Sequence, residues 1–357
     1  MEGFAYLVAP EGWRERQRWF PLVGWVPEPL LGQAGRFIPW RTLVEFPPAA
    51  AAGSPQVPPG AVVGLAATAE GFQRWELRKR QQHLIRLVEE LATRGLRIFG
   101  LGRGWRGAPG AAEPVREAVR AVWGEAEAGV VEGWAAALAR CLAGAEMVAA
   151  ARRWDCEQVE VVVVGGETPA GQVAARLLAR RFGRLTLAGD GPPLVRLAGH
   201  ILHETGTAAR ISGRWGRLLY KADLVVLAAP LSAGTASLLR PEAVVLEVGA
   251  GAGERREGVV SDVLFSWPAG RPSAGLPGTV WPAGEGGGPS LVTAGLATVA
   301  AAGAGARPGG SGGVAETLCL LSRPQPSLTG VLAVRRALEQ SGLRPAAVLD
   351  KAGTVLL

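Results

Sequence analysis

The stretch from Val159 to Asp190, VEVVVVGGETPAGQVAARLLARRFGRLTLAGD, constrains the fold of this chain more than any other part of it. The apolar run Val161 to Val164 reads as a strand and ends at Gly165 and Gly166. Pro169 suits the first turn of a helix, which carries apolar residues up to Leu178. A second apolar run, Leu185 to Ala188, is followed by Gly189 and Asp190. Strand, glycine turn, helix, strand and acid form a βαβ unit, and such units build parallel sheets.

A turn of this kind suits a phosphate group. The first turn of a helix has unpaired N–H groups and the positive end of the helix dipole, and glycines let the backbone approach closely. Gly165, Gly166 and Gly171 supply the close-approach positions, in the spacing Gly165-x-x-Thr168-x-x-Gly171. Thr168 replaces the middle glycine of the usual dinucleotide fingerprint, and its hydroxyl is expected to be able to donate to a phosphate. Asp190, 19 residues past Gly171, can accept hydrogen bonds from ribose hydroxyls and repel a 2′-phosphate, so the expected cofactor is NAD in preference to NADP. Arg180, Arg181 and Arg184 weigh the other way, as cations that could reach a 2′-phosphate. Ala228, Ala229 and Pro230, and then Gly249, follow two further apolar runs and fall at the carboxyl edge of the expected sheet, where ligands of open α/β sheets bind.

With 357 residues, 48% of them apolar, the chain is long enough for two cores. Its net charge of +7 comes almost wholly from arginine, lysine occurring only at Lys79, Lys221 and Lys351. The cations are scattered among acids with no long block of one sign, so nucleic acid is not an expected partner. Cys141, Cys156 and Cys319 make an odd set without metal or redox spacing, as in a reduced cytoplasmic protein. The start, MEGFAYLVAPEGW, lacks the features of a signal peptide, and the quiet run from Leu291 is short and rich in Gly and Ala, so no membrane span is expected.

Elsewhere the pattern predicts strands over residues 4–8, 61–66 and 97–101, with an amphipathic helix over residues 71–93. Residues 46–59 are rich in Pro, Ala and Gly and read as a loop. Helices are expected over residues 115–123 and 129–152, and the second leads into the fingerprint strand. Beyond Asp190 a helix over 193–204 and strands over 208–211, 222–229, 243–248 and 279–282 extend a parallel sheet, with closing helices over 314–321 and 328–341. The expected fold class is α/β in two lobes: an N-terminal α/β substrate lobe with a long connecting helix (1–153), a Rossmann-type doubly wound parallel sheet (154–290), and C-terminal helices packing back on the first lobe (291–357).

In this order of parts the chain resembles the cyanobacterial fatty acyl-carrier-protein reductases and the related predicted amino-acid dehydrogenases, whose Rossmann domain is similar to those of shikimate dehydrogenase and glutamyl-tRNA reductase. The segments that carry the resemblance are AVVGLAA from Ala61, RIFGLGRGW from Arg97, the VVVVGGETPAG turn, and PSLTGVLAVRRALEQSGLRPA from Pro326. It implies an NAD(P)-dependent oxidoreductase acting on a carbonyl, acyl or similar small substrate, possible as a homo-oligomer. It also implies a nucleophilic cysteine in the last third, at or near Gly313, where this chain has no side chain. The Thr-Gly-Asn-like segment of the family is lost near Glu127 to Gly129, and Asp190 stands where an NADP enzyme would carry arginine. These departures open a second reading, a catalytically degenerate dinucleotide sensor or scaffold.

Candidate chemistry outside the turn is thin. Cys319 lies in the apolar run TLCLL and would need a change of register to act as a nucleophile. Lys79 and His83 are four residues apart on the long helix, as acid–base groups or as a solvated stripe. His200 and His203 share a helix face, but no further ligand completes a metal site, so none is expected. Trp13, Trp19, Trp25, Trp40 and Trp75 suit either an apolar substrate pocket or core packing.

Overall fold

The computed structural model describes residues 3–10, 16–17, 19–21, 25–27, 30–31, 40–46, 60–102, 112–124, 129–131, 133–248, 259–266, 325–341 and 344–350. The first strands are β1 (Gly3–Val8), β2 (Trp40–Phe46) and β3 (Gly60–Leu65), followed by α1 (Ala69–Gln73), α2 (Leu77–Thr93) and β4 (Leu96–Leu101). Next come α3 (Ala112–Trp123), β5 (Gly129–Val131) and α4 (Trp134–Ala151). Five-stranded and in the order β2-β3-β1-β4-β5, the first sheet is parallel except for β2. Its centre, β1, is buried along its whole length, which suits the apolar run FAYLV.

Two expectations change in this half, and one strand was not expected. The helix expected over 71–93 is two helices, because the chain turns at residues 74–76 and seats Trp75 against Phe72, ring centroids 5.0 Å apart. The start of the helix expected over 129–152 is β5 instead, and Gly133, at φ 72°, turns the chain from strand into α4. Trp40–Phe46 is an edge strand of half-exposed character, with an irregularity between Thr42 and Val44.

The second sheet is built from β6 (Glu160–Val164), α5 (Pro169–Leu178), β7 (Arg184–Ala188), α6 (Pro192–Thr205), β8 (Arg210–Ser212), α7 (Trp215–Lys221), β9 (Leu224–Leu227), α8 (Ala233–Ala236), β10 (Val244–Glu247) and β11 (Val259–Ser266). After these come α9 (Leu328–Ser341) and β12 (Arg344–Asp350). Its seven strands run in the order β12-β11-β10-β9-β6-β7-β8, all parallel except β12. From β8 to β11 this is the doubly wound order 3-2-1-4-5-6, in which the chain starts at the centre, winds one way and then the other. Side chains alternate across it. Val161, Val163, Leu187, Val226 and Leu246 join a core continuous with the first sheet, whereas Val162, Val164, Val225, Leu227 and Val245 pack against Leu219, Leu231 and Leu239. The sheet is therefore covered on both faces, as its near-continuous valine and leucine runs require.

The strands β11 and β12 were not expected, and β12 puts part of the C-terminal segment into the second sheet where closing helices were anticipated. The helix expected over 328–341 is present as α9, and it packs on α4 and α5. Arg335 of α9 donates to Glu146 of α4 at 3.0 Å. The apolar helix α4 has the length and composition to cross a bilayer, but 67% of it is buried inside the molecule. The segments 279–282 and 314–321, the run from Leu291, Gly313, Cys319 and Gly249 lie outside the described residues.

Candidate functional site

In a doubly wound sheet the two windings diverge at one point, leaving a crevice above the carboxyl ends of the two central strands. Here those strands are β6 and β9, and the Gly165–Gly171 turn leaves β6 at that point. Gly165 has φ 78°, a left-handed conformation that favours glycine. A Cβ on it would lie 2.6 Å from Ala229 Cβ and 2.8 Å from Ala229 N, so the turn is pressed against the end of β9. A Cβ on Gly171 would lie 2.0 Å from the Gly165 carbonyl oxygen, so α5 starts directly on the turn. One on Gly166 would meet Leu194 at 3.0 Å. These glycines create a tight cradle that side chains would fill.

Thr168 is the N-cap of α5. Its Oγ1 accepts from Gly171 N–H at 3.0 Å and donates to the Gly165 carbonyl at 2.8 Å. The hydroxyl has one proton, and it goes to Gly165. The expected donation from Thr168 to a phosphate is corrected accordingly: this residue shapes the loop and does not face a ligand as a donor. Pro169 occupies the first helical position, where no N–H is needed. The N–H groups of Gly166, Glu167 and Ala170 have no acceptor among the described residues, so they are the donors the turn can offer.

Asp190 follows β7 at the same edge and is exposed, with no hydrogen-bond partner among the described residues. Gly189 N–H donates to the Ser212 carbonyl at 3.0 Å, which holds the Asp190 loop beside the end of β8. Arg184 begins β7 and therefore sits at the opposite edge, where it pairs with Glu160 at 3.3 Å and with Gln158. Arg181 reaches Glu146 at 3.8 Å and Arg180 reaches Glu204 at 4.0 Å. The three arginines weighed for a 2′-phosphate are thus engaged away from Asp190. Ala228 N–H donates to the Val164 carbonyl at 2.9 Å, bringing Ala228, Ala229 and Pro230 beside the turn.

The acid–base candidates lie elsewhere. His83 and Lys79 are half-buried on α2, and no hydrogen bond or ring contact among the described residues joins them to the turn. Trp75 meets the His83 ring edge-on at 5.8 Å, and His83 Nδ1 is buried without a partner. Burial, then the nearby Arg86 charge, lowers the His83 pKa and favours the neutral ring. Cys141 is fully enclosed in α4, and burial pushes its thiol up to about 12, so it serves packing. Cys156 precedes β6, at the edge away from the turn. His200 and His203 are exposed on α6. Trp19, Trp40 and Trp75 pack in or against the core, whereas Trp25 is 74% exposed.

Sequence reasoning missed two features of this edge. Glu247 ends β10 and is only 5% exposed, and its one visible signal is an acid inside the apolar run AVVLEV. Beside Pro169 there is also a cavity of about 430 Å³ between α5 and the start of α9, lined by Gln172, Arg176, Ser327 and Thr329 among others.

No protein-family model matches the chain, and no curated protein matches it. Among solved structures it is similar to L-tryptophan dehydrogenase from Nostoc punctiforme, with 13% identity over 95% of this chain and 87% of that one, at a TM-score of 0.40. It is also similar to the hetero-hexameric glutamate dehydrogenase from Thermus thermophilus, with 16% identity over 70% of this chain and a TM-score of 0.34. The match spans 59% of the length of that enzyme. For D-lactate dehydrogenase from Escherichia coli the identity is 11%, over 70% of this chain and 76% of that one, at a TM-score of 0.27.

Proposed function

We propose that this chain is a nicotinamide-dinucleotide-dependent oxidoreductase whose second sheet holds the cofactor, with a small carbonyl or acyl substrate bound between two lobes. One observation carries the reading: the glycine cradle leaves the central strand of a doubly wound sheet at its switch point, with free N–H groups at the start of α5. The residues fit the group. Gly166, Glu167 and Ala170 N–H would hold the pyrophosphate, aided by the α5 dipole. The Asp190 carboxylate would accept hydrogen bonds from the adenosine ribose and repel a 2′-phosphate, which favours NAD. Ala228, Ala229 and Pro230 would leave room for the remainder, and Gly249 belongs to the same proposed edge. When bound, the nicotinamide supplies a hydride acceptor or donor. The proposed lobes are residues 1–153 and 154–290; of residues 291–357, expected to pack back on the first lobe, α9 lies on α4 and α5 and β12 joins the second sheet.

A second reading, a dinucleotide-binding sensor, is favoured by the cysteines: of the two described, one is enclosed in α4 and the other sits at the far edge of the sheet. Titrating the protein with NAD and NADP while following tryptophan fluorescence tests binding, and NAD(P)H turnover with aldehydes, keto acids and acyl thioesters tests chemistry. Turnover with any of these supports the oxidoreductase. Binding without turnover supports the sensor, and lack of binding removes both.

A further inference from the structure

Among the described residues Glu247 is the one buried carboxylate, and its place in the sheet gives it a use. Glu247 has an interaction of its own within the molecule, and what singles it out is where it stands. It lies at the carboxyl edge, in register with Leu227, the last residue of β9. Val248 N–H donates to the Leu227 carbonyl at 2.9 Å, as Ala228 N–H donates to the Val164 carbonyl, so the ends of β6, β9 and β10 are level. Adjacent strands are about 4.8 Å apart, which puts Glu247 about 10 Å from the Gly165 turn, measured across the sheet. Asp190 stands on the other side of the turn, at the end of β7. A dinucleotide lies across such a crevice with one nucleotide over each winding of the sheet. If Asp190 marks the adenosine half, the ends of β9 and β10 mark the nicotinamide half.

Resting on the dinucleotide reading above, we infer that Glu247 is a binding residue of the nicotinamide half and selects the redox state of the cofactor. A carboxylate there attracts the oxidised ring, which carries a positive charge, and does nothing comparable for the neutral reduced ring. Glu247→Gln keeps the shape and removes the charge. The test is the affinity of the full chain and of E247Q for NAD⁺, NADH and ADP-ribose, or for the 2′-phosphorylated forms should wild type prefer them, measured by calorimetry. ADP-ribose lacks the nicotinamide and reports the rest of the site.

The expected result is a loss of NAD⁺ affinity on the order of tenfold in E247Q, the scale of one partly screened charge attraction, with NADH and ADP-ribose changed by less than about twofold. Equal losses for all three would make Glu247 structural and overturn the inference, as would no loss for NAD⁺. Should E247Q fail to fold, the wild-type chain still decides: NAD⁺ binding at least as tightly as NADH supports the inference, and a preference for NADH overturns it. A wild-type chain that binds ADP-ribose while E247Q keeps its NAD⁺ affinity contradicts Glu247 alone. Failure of wild type to bind any of the nucleotides removes the dinucleotide reading itself.

Discussion

At Gly171 the structure leaves no room for even a methyl group. The virtual Cβ falls 2.0 Å from the Gly165 carbonyl oxygen, and both partners are backbone atoms that no rotamer change can move aside. Gly171→Ala should therefore cost about 1–3 kcal/mol of stability, the range of core overpacking, and should open the turn that holds the proposed pyrophosphate donors. A shifted urea midpoint together with weakened nucleotide binding checks this. Asp190 is the opposite kind of residue, exposed and without a partner among the described residues. Asp190→Asn should leave stability within about 0.5 kcal/mol and shift the NAD-to-NADP affinity ratio toward NADP on the order of tenfold. Parallel titrations with both nucleotides read that ratio, and an unchanged ratio would separate Asp190 from the ribose. Both glycine and acid were legible in the sequence because turn and strand patterns fix where they fall. The Thr168 hydroxyl was not: a side chain that could face a ligand could equally cap the helix, and the geometry of the Gly165 carbonyl decides for the cap.

The helix α5 depends on that cap. Thr168→Ala should cost about 1 kcal/mol in thermal or chemical unfolding, and Thr168→Ser should restore most of it, since serine presents the same oxygen. Another restraint is the pair between α5 and α6, where Arg176 donates to Glu204 at 3.0 Å and 2.5 Å. The Arg176 hydrogen bond holds the Glu204 carboxyl below its ordinary value, with the charge of the same arginine adding to it. A carboxyl whose pKa is lower folded than unfolded stabilises fully above the unfolded value, about 4.3, and that contribution disappears as pH falls through the folded value. Glu204→Gln should flatten this part of the acid limb by less than about 1 kcal/mol, because the pair is partly exposed. Long, strongly patterned elements such as β6, α5 and β7 could be read directly from the sequence. Those missed were ambiguous for physical reasons. Trp40–Phe46 carries Arg41 and Glu45 because an edge strand faces solvent, and β5 is only GVV, running without punctuation into α4. The break between α1 and α2 has neither glycine nor proline, so its cause, the seating of Trp75 on Phe72, appears only in three dimensions.

For the molecule as a whole, one core cluster runs from Phe4 and Tyr6 of the first sheet through Leu138 and Val148 of α4 to Val161 and Leu246 of the second. The connecting helix is thus packed into both layers, which explains why it is apolar around most of its surface. The return of the chain through α9 and β12 ties the end of the sequence to α4 and to the second sheet. The central claim concerns the carboxyl edge of that second sheet, and equilibrium titration of the full chain and of Gly171→Ala with NAD⁺ and ADP-ribose tests it most directly. The account predicts saturable binding of one nucleotide per wild-type chain, competition between the two ligands, and a loss of at least about tenfold in the variant, equivalent to about 1.4 kcal/mol. Absence of saturable binding in wild type, or a folded Gly171→Ala chain that binds as tightly, would contradict it.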